Sequence, residues 1–236
     1  MEHMARLERH HTAKGGSDEL RYNVVYRVLN AANHGVPQRR ERVVFVGFRA
    51  DLGIEWSFPE ATHSLEALLW EQVRTGDYWE RHEIAKRDRV LDPRFRARGM
   101  ALLEKPADKP WLTVRDAIGD LPDPELQPEL AAACLNHRFQ GGARSYVGHT
   151  GSPLDEPAKT LKAGVHGVPG GENMLRRADG SVRYFSVRES ARLQTFPDKY
   201  RFHGSWTESM RQLGNAVPVK LAQAVGENVA RHLTAA

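Results

Sequence analysis

Residues 42–48 (RVVFVGF) constrain the fold more than any other segment. The run is β-branched and aromatic, nearly continuous in apolar character, and too short for a helix with one buried stripe. Such a segment reads as a strand covered on both faces, so the chain must place a layer on each side of a sheet. Residues 22–29 (YNVVYRVL) form a second strand candidate of the same composition. Between them, residues 30–41 are polar and contain Gly35 and Pro37. The expected unit is a pair of adjacent strands joined by a functional loop.

Downstream the pattern changes. Residues 64–73 (SLEALLWEQV) have helical spacing, and residues 76–110 are charged and irregular. Thr113 with Asp116 fits a capping box, opening a short helix that ends by Leu121-Pro122. Residues 122–180 are punctuated by proline and glycine, which predicts loops and short strands. Ser186 with Glu189 is a second capping box, and its helix stops before Pro197. Val217, Leu221, Val225, Val229 and Leu233 recur every four residues, one apolar stripe on a closing helix with Pro218 in its first turn.

Composition narrows the class. At 236 residues and 40% hydrophobic, with mean hydropathy −0.57, the chain suits one large domain or two small ones. No apolar run approaches the roughly 20 residues that span a bilayer. The first 16 residues carry His, Arg and Glu without an apolar core, so they are no secretory signal, and residues 1–20 are expected to be mobile. A cytoplasmic location follows as the expectation. The lone cysteine, Cys134, forms no internal disulfide and no zinc site of standard spacing. The 11 histidines show no metal spacing, and no metal site is expected. Net charge is +4, concentrated in basic segments at 1–50, 81–98 and 176–211 against an acidic one at 116–130. A positive face of this kind suits a polyanion.

Three arginines stand within four residues in Gly35-Val36-Pro37-Gln38-Arg39-Arg40-Glu41-Arg42. They cannot all be sunk in a core. As bare chemistry they fit a solvated strand edge paired with Glu41, or a site for anions and base edges, which the planar guanidinium fork matches. Two further blocks follow: Arg188-Glu189-Ser190-Ala191-Arg192-Leu193-Gln194-Thr195-Phe196-Pro197-Asp198 and Gly214-Asn215-Ala216-Val217-Pro218. In this order the three blocks resemble the eighth, ninth and tenth motifs of the DNA (cytosine-5-)-methyltransferase family. The ninth departs at its start, where Tyr184-Phe185-Ser186 stands in place of a Leu-Thr pair.

The resemblance implies an α/β fold: the C-terminal part of a class I S-adenosylmethionine-dependent methyltransferase sheet (residues 21–50), a small loop-rich α+β target-recognition domain (51–180), and a segment returning to the catalytic domain (181–236). It implies that Gln38, Arg40 and Arg42 serve the extruded cytosine and its flanking phosphate, with Glu41 orienting the arginines. Arg188, Glu189, Arg192 and Gln194 organise the recognition domain. The resemblance also implies that Asn215 and Ala216 border S-adenosyl-L-methionine, although a bare turn with Gly for backbone freedom and Asn for a local hydrogen bond also fits. Glu156-Pro157-Ala158-Lys159-Thr160-Leu161, leading into the glycine run 164–171, resembles the end of the recognition domain. This makes Thr160 and Leu161 candidate DNA-reading residues. Arg176 and Arg177 are candidate phosphate contacts, and each also fits a plain exposed arginine.

The Pro-Cys nucleophile, the Glu-Asn-Val phrase and the glycine-rich cofactor loop of that family do not occur here. Cys134, in an Ala-Ala-Ala-Cys-Leu-Asn setting, reads as a small packed residue. The resemblance therefore implies a C-terminal portion or subunit, inactive alone. A partner chain would carry the nucleophile and cofactor loop, and double-stranded DNA would be the substrate. A truncated product is the other history that fits. The alternative is a non-catalytic, sequence-specific DNA-binding module, and a weaker one is a dimerisation scaffold using free strand edges at 22–48.

Overall fold

The computed structural model describes residues 9–14, 21–163 and 173–234. The glycine run 164–171 lies outside the described residues. So does most of the N-terminal arm expected to be mobile, of which Arg9–Lys14 forms strand β1. β1 pairs antiparallel with β2 (Arg21–Asn30), which pairs antiparallel with β3 (Glu41–Arg49), giving the order β1-β2-β3. Both strands foreseen from composition are present, each slightly longer than its apolar run.

Register divides the sheet into two unlike faces. Val25 opposes Val46 and Asn23 opposes Phe48, so Val25, Leu29, Val44, Val46 and Phe48 share one face. That face packs on Ile54, Trp56 and Phe58. It also receives α8 (Val219–Thr234) through Leu221, Val225 and Val229. The opposite face carries Tyr22, Val24, Tyr26, Val28, Val43 and Phe45. Tyr26 and Phe45 stack with centroids 5.2 Å apart. Yet Phe45 is 65% and Val43 52% exposed, and no layer covers this face among the described residues. The expected double cover of residues 42–48 is thus met on one side only.

The middle of the chain forms short elements. β4 (His63–Ser64) leads into α1 (Leu65–Leu69), capped by Ser64 and continued by a wider π-helical stretch, Trp70–Thr75. α2 (Asp77–Arg81), α3 (Pro93–Met100) and β5 (Lys109–Pro110) follow, with β5 parallel to β4. α4 (Val114–Ile118) opens on the Thr113–Asp116 capping box foreseen above. α5 (Pro128–Ala132) and β6 (Ser152–Pro153) precede β7 (Met174–Arg176) and β8 (Val182–Tyr184). α6 (Val187–Leu193) opens on the second capping box, Ser186–Glu189. A third box, Ser205–Glu208, opens α7 (Trp206–Asn215).

A second core joins α4, β7, α6 and α7 through Val114, Ile118, Leu175, Leu193, Met210 and Leu213. The closing stripe needs correction at both ends. Val217 precedes α8 and Leu233 lies on its exposed last turns, each half-exposed. Pro218 stands just before the helix, its carbonyl accepting from Ala222 N at 3.0 Å.

Candidate functional site

The loop between β2 and β3 is built from its sequence outward. Asn30 caps a 3₁₀ turn, Ala31–His34, by accepting from Ala32 N at 3.1 Å. Gly35 ends the turn at φ 72°, a conformation that favours glycine. A Cβ there would also fall 2.9 Å from the His63 ring, so two constraints coincide at one residue. Burial pulls the His63 imidazole below its ordinary pKa, which favours the neutral ring packed against this turn.

After Gly35 the chain runs buried and zips onto residues 157–160. Ala158 N donates to Pro37 O at 3.0 Å, and Arg39 N donates to Ala158 O at 2.8 Å. Thr160 Oγ1 donates to Arg39 O at 2.7 Å. Gln38 is fully buried, and its side-chain amide has no hydrogen-bond partner among the described residues.

Arg40 completes the junction. Its guanidinium donates to Leu161 O at 3.1 Å, to Gly214 O at 2.6 Å and to Ala216 O at 2.8 Å. Burial first, then the charge of Arg42, pull its pKa down to about 10, so it stays charged at neutral pH. Three segments far apart in sequence are therefore tied by one side chain. Gly214 permits the approach: a Cβ there would lie 2.3 Å from Ala163 N. The reason for this glycine is close backbone contact, not the backbone freedom expected from the turn reading.

The site candidates fare differently. Leu161 and Ala216 accept from Arg40, Thr160 binds the adjacent Arg39 carbonyl, Gln38 pairs with Ala158 on the same loop, and Asn215 adjoins Ala216. Arg40 itself is turned inward with no exposed surface, so its guanidinium fills a positioning role and is not presented to a ligand. Leu161 likewise faces the core, because its carbonyl holds Arg40 and its side chain packs with Phe185 and Leu213. Arg42 is half-exposed, and its Nη1 donates to the Glu41 carbonyl at 2.6 Å; the Glu41 carbonyl thus holds it. Asn215 ends α7 with its residue exposed. Arg176 is exposed, whereas Arg177 is engaged by Asp123 at 3.0 Å and Glu125 at 2.6 Å.

The ninth block is held by buried bonds of its own, and Gln194 ties it to the end of α7. Arg188 is buried and donates to the carbonyls of Leu135, Pro197 and Tyr200. Glu189 takes two hydrogen bonds from buried Arg183, at 2.7 and 2.8 Å. Gln194 Nε2 donates to Leu213 O, and its own carbonyl accepts from Val219 N at 3.0 Å. Cys134 is half-buried and lines a cleft of about 730 Å³ with Arg138, Phe139, Arg201 and Trp206, apart from all the site candidates. Sequence reasoning gave Arg39 no role of its own, read Gly214 as a turn glycine and passed over the Ser205–Glu208 box, which carried a readable three-residue signal.

The profile of C-5 cytosine-specific DNA methylases matches residues 6–231. The chain belongs to this family. Among its relatives, a type II methyltransferase M.MthTI of Methanothermobacter thermautotrophicus is 29% identical, covering 91% of this chain and 58% of the relative. M.NgoFVII of Neisseria gonorrhoeae is 33% identical over 86% of the chain and 50% of its own length. M1.HphI of Haemophilus parahaemolyticus is 31% identical over 97% and 55%. The chain thus spans about half the length of the curated relatives it matches. In fold it is similar to the Dnmt2 methyltransferase of S. pombe, at TM-score 0.50 and 17% identity, covering 90% of this chain and 58% of that one. The mixed α/β architecture is that of a methyltransferase of this family. No described helix is long and apolar enough to cross a membrane.

Proposed function

We propose that this chain supplies the C-terminal portion of a DNA (cytosine-5-)-methyltransferase in a restriction-modification setting. It contributes recognition of double-stranded DNA, centred on residues 51–180, and one wall of the cytosine and cofactor pocket. The nucleophile and cofactor loop come from another polypeptide segment, so the chain is inactive alone. One observation carries this reading: Arg40 gathers the Gln38–Arg42 loop, the Thr160-Leu161 loop and the Gly214–Ala216 turn to one point. The resemblance makes the first of these a neighbour of the target base, the second a DNA-reading loop and the third a neighbour of the cofactor. The open apolar sheet face supports the same reading, since it is what a strand pair missing one layer presents.

S-adenosyl-L-methionine would supply the methyl group. Asn215 is exposed beside the junction, but the Ala216 carbonyl is already taken by Arg40. These residues fit one edge of such a site, and this chain is assigned no reaction step through it. Gln38 has a buried amide with no partner among the described residues, but like Arg40 it has no exposed surface, so it reaches an extruded base only where the loop opens. Arg42 remains the arginine assigned to that pocket.

The test is complementation. The chain is mixed with a polypeptide carrying the Pro-Cys and Glu-Asn-Val phrases, and transfer of labelled methyl groups to duplex DNA is measured. Activity is expected in the mixture and none from the chain alone. Turnover by the lone chain would overturn the incompleteness. Inactivity at every ratio, with sequence-specific DNA binding retained, would favour the non-catalytic module.

A further inference from the structure

With Arg40 buried, the cations of this loop that reach the surface are Arg42, assigned above to the base pocket, and Arg39. Arg39 has its backbone fixed on both sides: its amide donates to Ala158 O at 2.8 Å and its carbonyl accepts from Thr160 Oγ1 at 2.7 Å. Its side chain is 38% exposed, and its Nη2 stands 3.9 Å from a Glu156 carboxyl oxygen, too far for a hydrogen bond. The guanidinium is thus anchored at its base and only loosely engaged at its tip.

Two more cations share this surface. Lys159 lies between Ala158 and Thr160 on the loop that Arg39 zips against; its amide donates to Ser152 Oγ at 3.0 Å and its Nζ donates to Thr150 Oγ1 at 3.0 Å. Arg176 is exposed on β7, directly across from Pro153 of β6. The Ser152–Pro153 strand therefore links Lys159 on one side to Arg176 on the other. Glu156 and Asp92 are the nearby acids, and Arg94 is already paired with Asp92 at 3.1 Å. Among the described residues, Arg39, Arg176 and Lys159 all lie within electrostatic reach of Glu156, on the same loop that carries the candidate DNA-reading Thr160.

We propose that Arg39, Lys159 and Arg176 form a seat for the sugar-phosphate backbone of double-stranded DNA, with Arg39, not Arg40, as the arginine of this loop that meets it. This rests on the DNA-recognition reading above. The chemistry is sequence-independent: each phosphate neutralised by a cation releases a counterion, so the contact registers as salt dependence of binding. The three cations come from segments held in register by backbone hydrogen bonds, which positions the charges before DNA arrives.

The experiment measures binding of the full chain to a fluorescein-labelled random-sequence duplex by anisotropy, across a salt series. Arg39→Ala is expected to weaken binding about tenfold near 0.1 M salt and to reduce the slope of log affinity against log salt by about 1. Arg39→Lys keeps the slope, because the charge is kept. Arg39→Glu weakens binding beyond Arg39→Ala. Arg231→Ala, on the exposed last turns of α8, leaves the slope unchanged. A circular dichroism melt checks that each variant is folded. If wild type binds the duplex but a folded Arg39→Ala keeps its affinity and slope, the seat is wrong and the DNA-recognition reading stands. If wild type binds no duplex at low salt, both are overturned.

Discussion

Arg40 shows how far a side chain's role can depart from its residue type. A guanidinium in an arginine-rich loop is ordinarily a surface group, yet here three backbone carbonyls replace its water. Removing it would leave those carbonyls short of a donor in a buried junction. Arg40→Ala should therefore cost about 3–5 kcal/mol of unfolding free energy, read from urea denaturation. Arg40→Lys should recover only part, since one ammonium cannot span three carbonyls as a planar fork does. A stability-neutral Arg40→Ala that instead lowered the DNA salt slope would return this residue to the DNA surface and refute its positioning role.

The closing helix depends on a strained residue in another element. Thr195 sits just after α6 at φ 61°, a region that a β-branched side chain rarely enters. Its Oγ1 accepts from Lys220 N at 2.9 Å, while the neighbouring Gln194 carbonyl accepts from Val219 N. The first amides of α8 are thus satisfied from the ninth block, and the local strain is offset by capping. Thr195→Val keeps the strain and loses the cap, so it should destabilise by about 1–2 kcal/mol in thermal unfolding. Thr195→Asn tolerates the left-handed backbone and can still accept, so it should match or exceed wild type. Equal stability of the Val variant and wild type would mean that the hydroxyl contributes nothing to α8.

At the scale of the molecule, the sheet has one dressed face and one bare face. A row of Tyr22, Val43 and Phe45 in water is a surface that another layer would cover. On the proposed function, Phe45→Lys should weaken assembly with a polypeptide that carries the nucleophile, read by sedimentation velocity of the mixture. Because Phe45 is mostly exposed within this chain, the change should alter intrinsic stability by no more than about 0.5 kcal/mol. A loss of several kcal/mol in the isolated chain would mean that this face is already packed.

What could be read from the residues alone was local. The strands at Arg21–Asn30 and Glu41–Arg49 followed from runs of β-branched and aromatic residues. The caps at Thr113 and Ser186 followed from a three-residue spacing, and family membership from three ordered blocks. Propensity, capping and motif matching act over a few positions, so they survive in a linear string. Which arginine is buried, why Gly214 must be glycine, and which sheet face lies bare depend on partners up to 176 positions away. Tertiary packing decided those, because burial belongs to the space around a residue and is not a property of its neighbours in sequence.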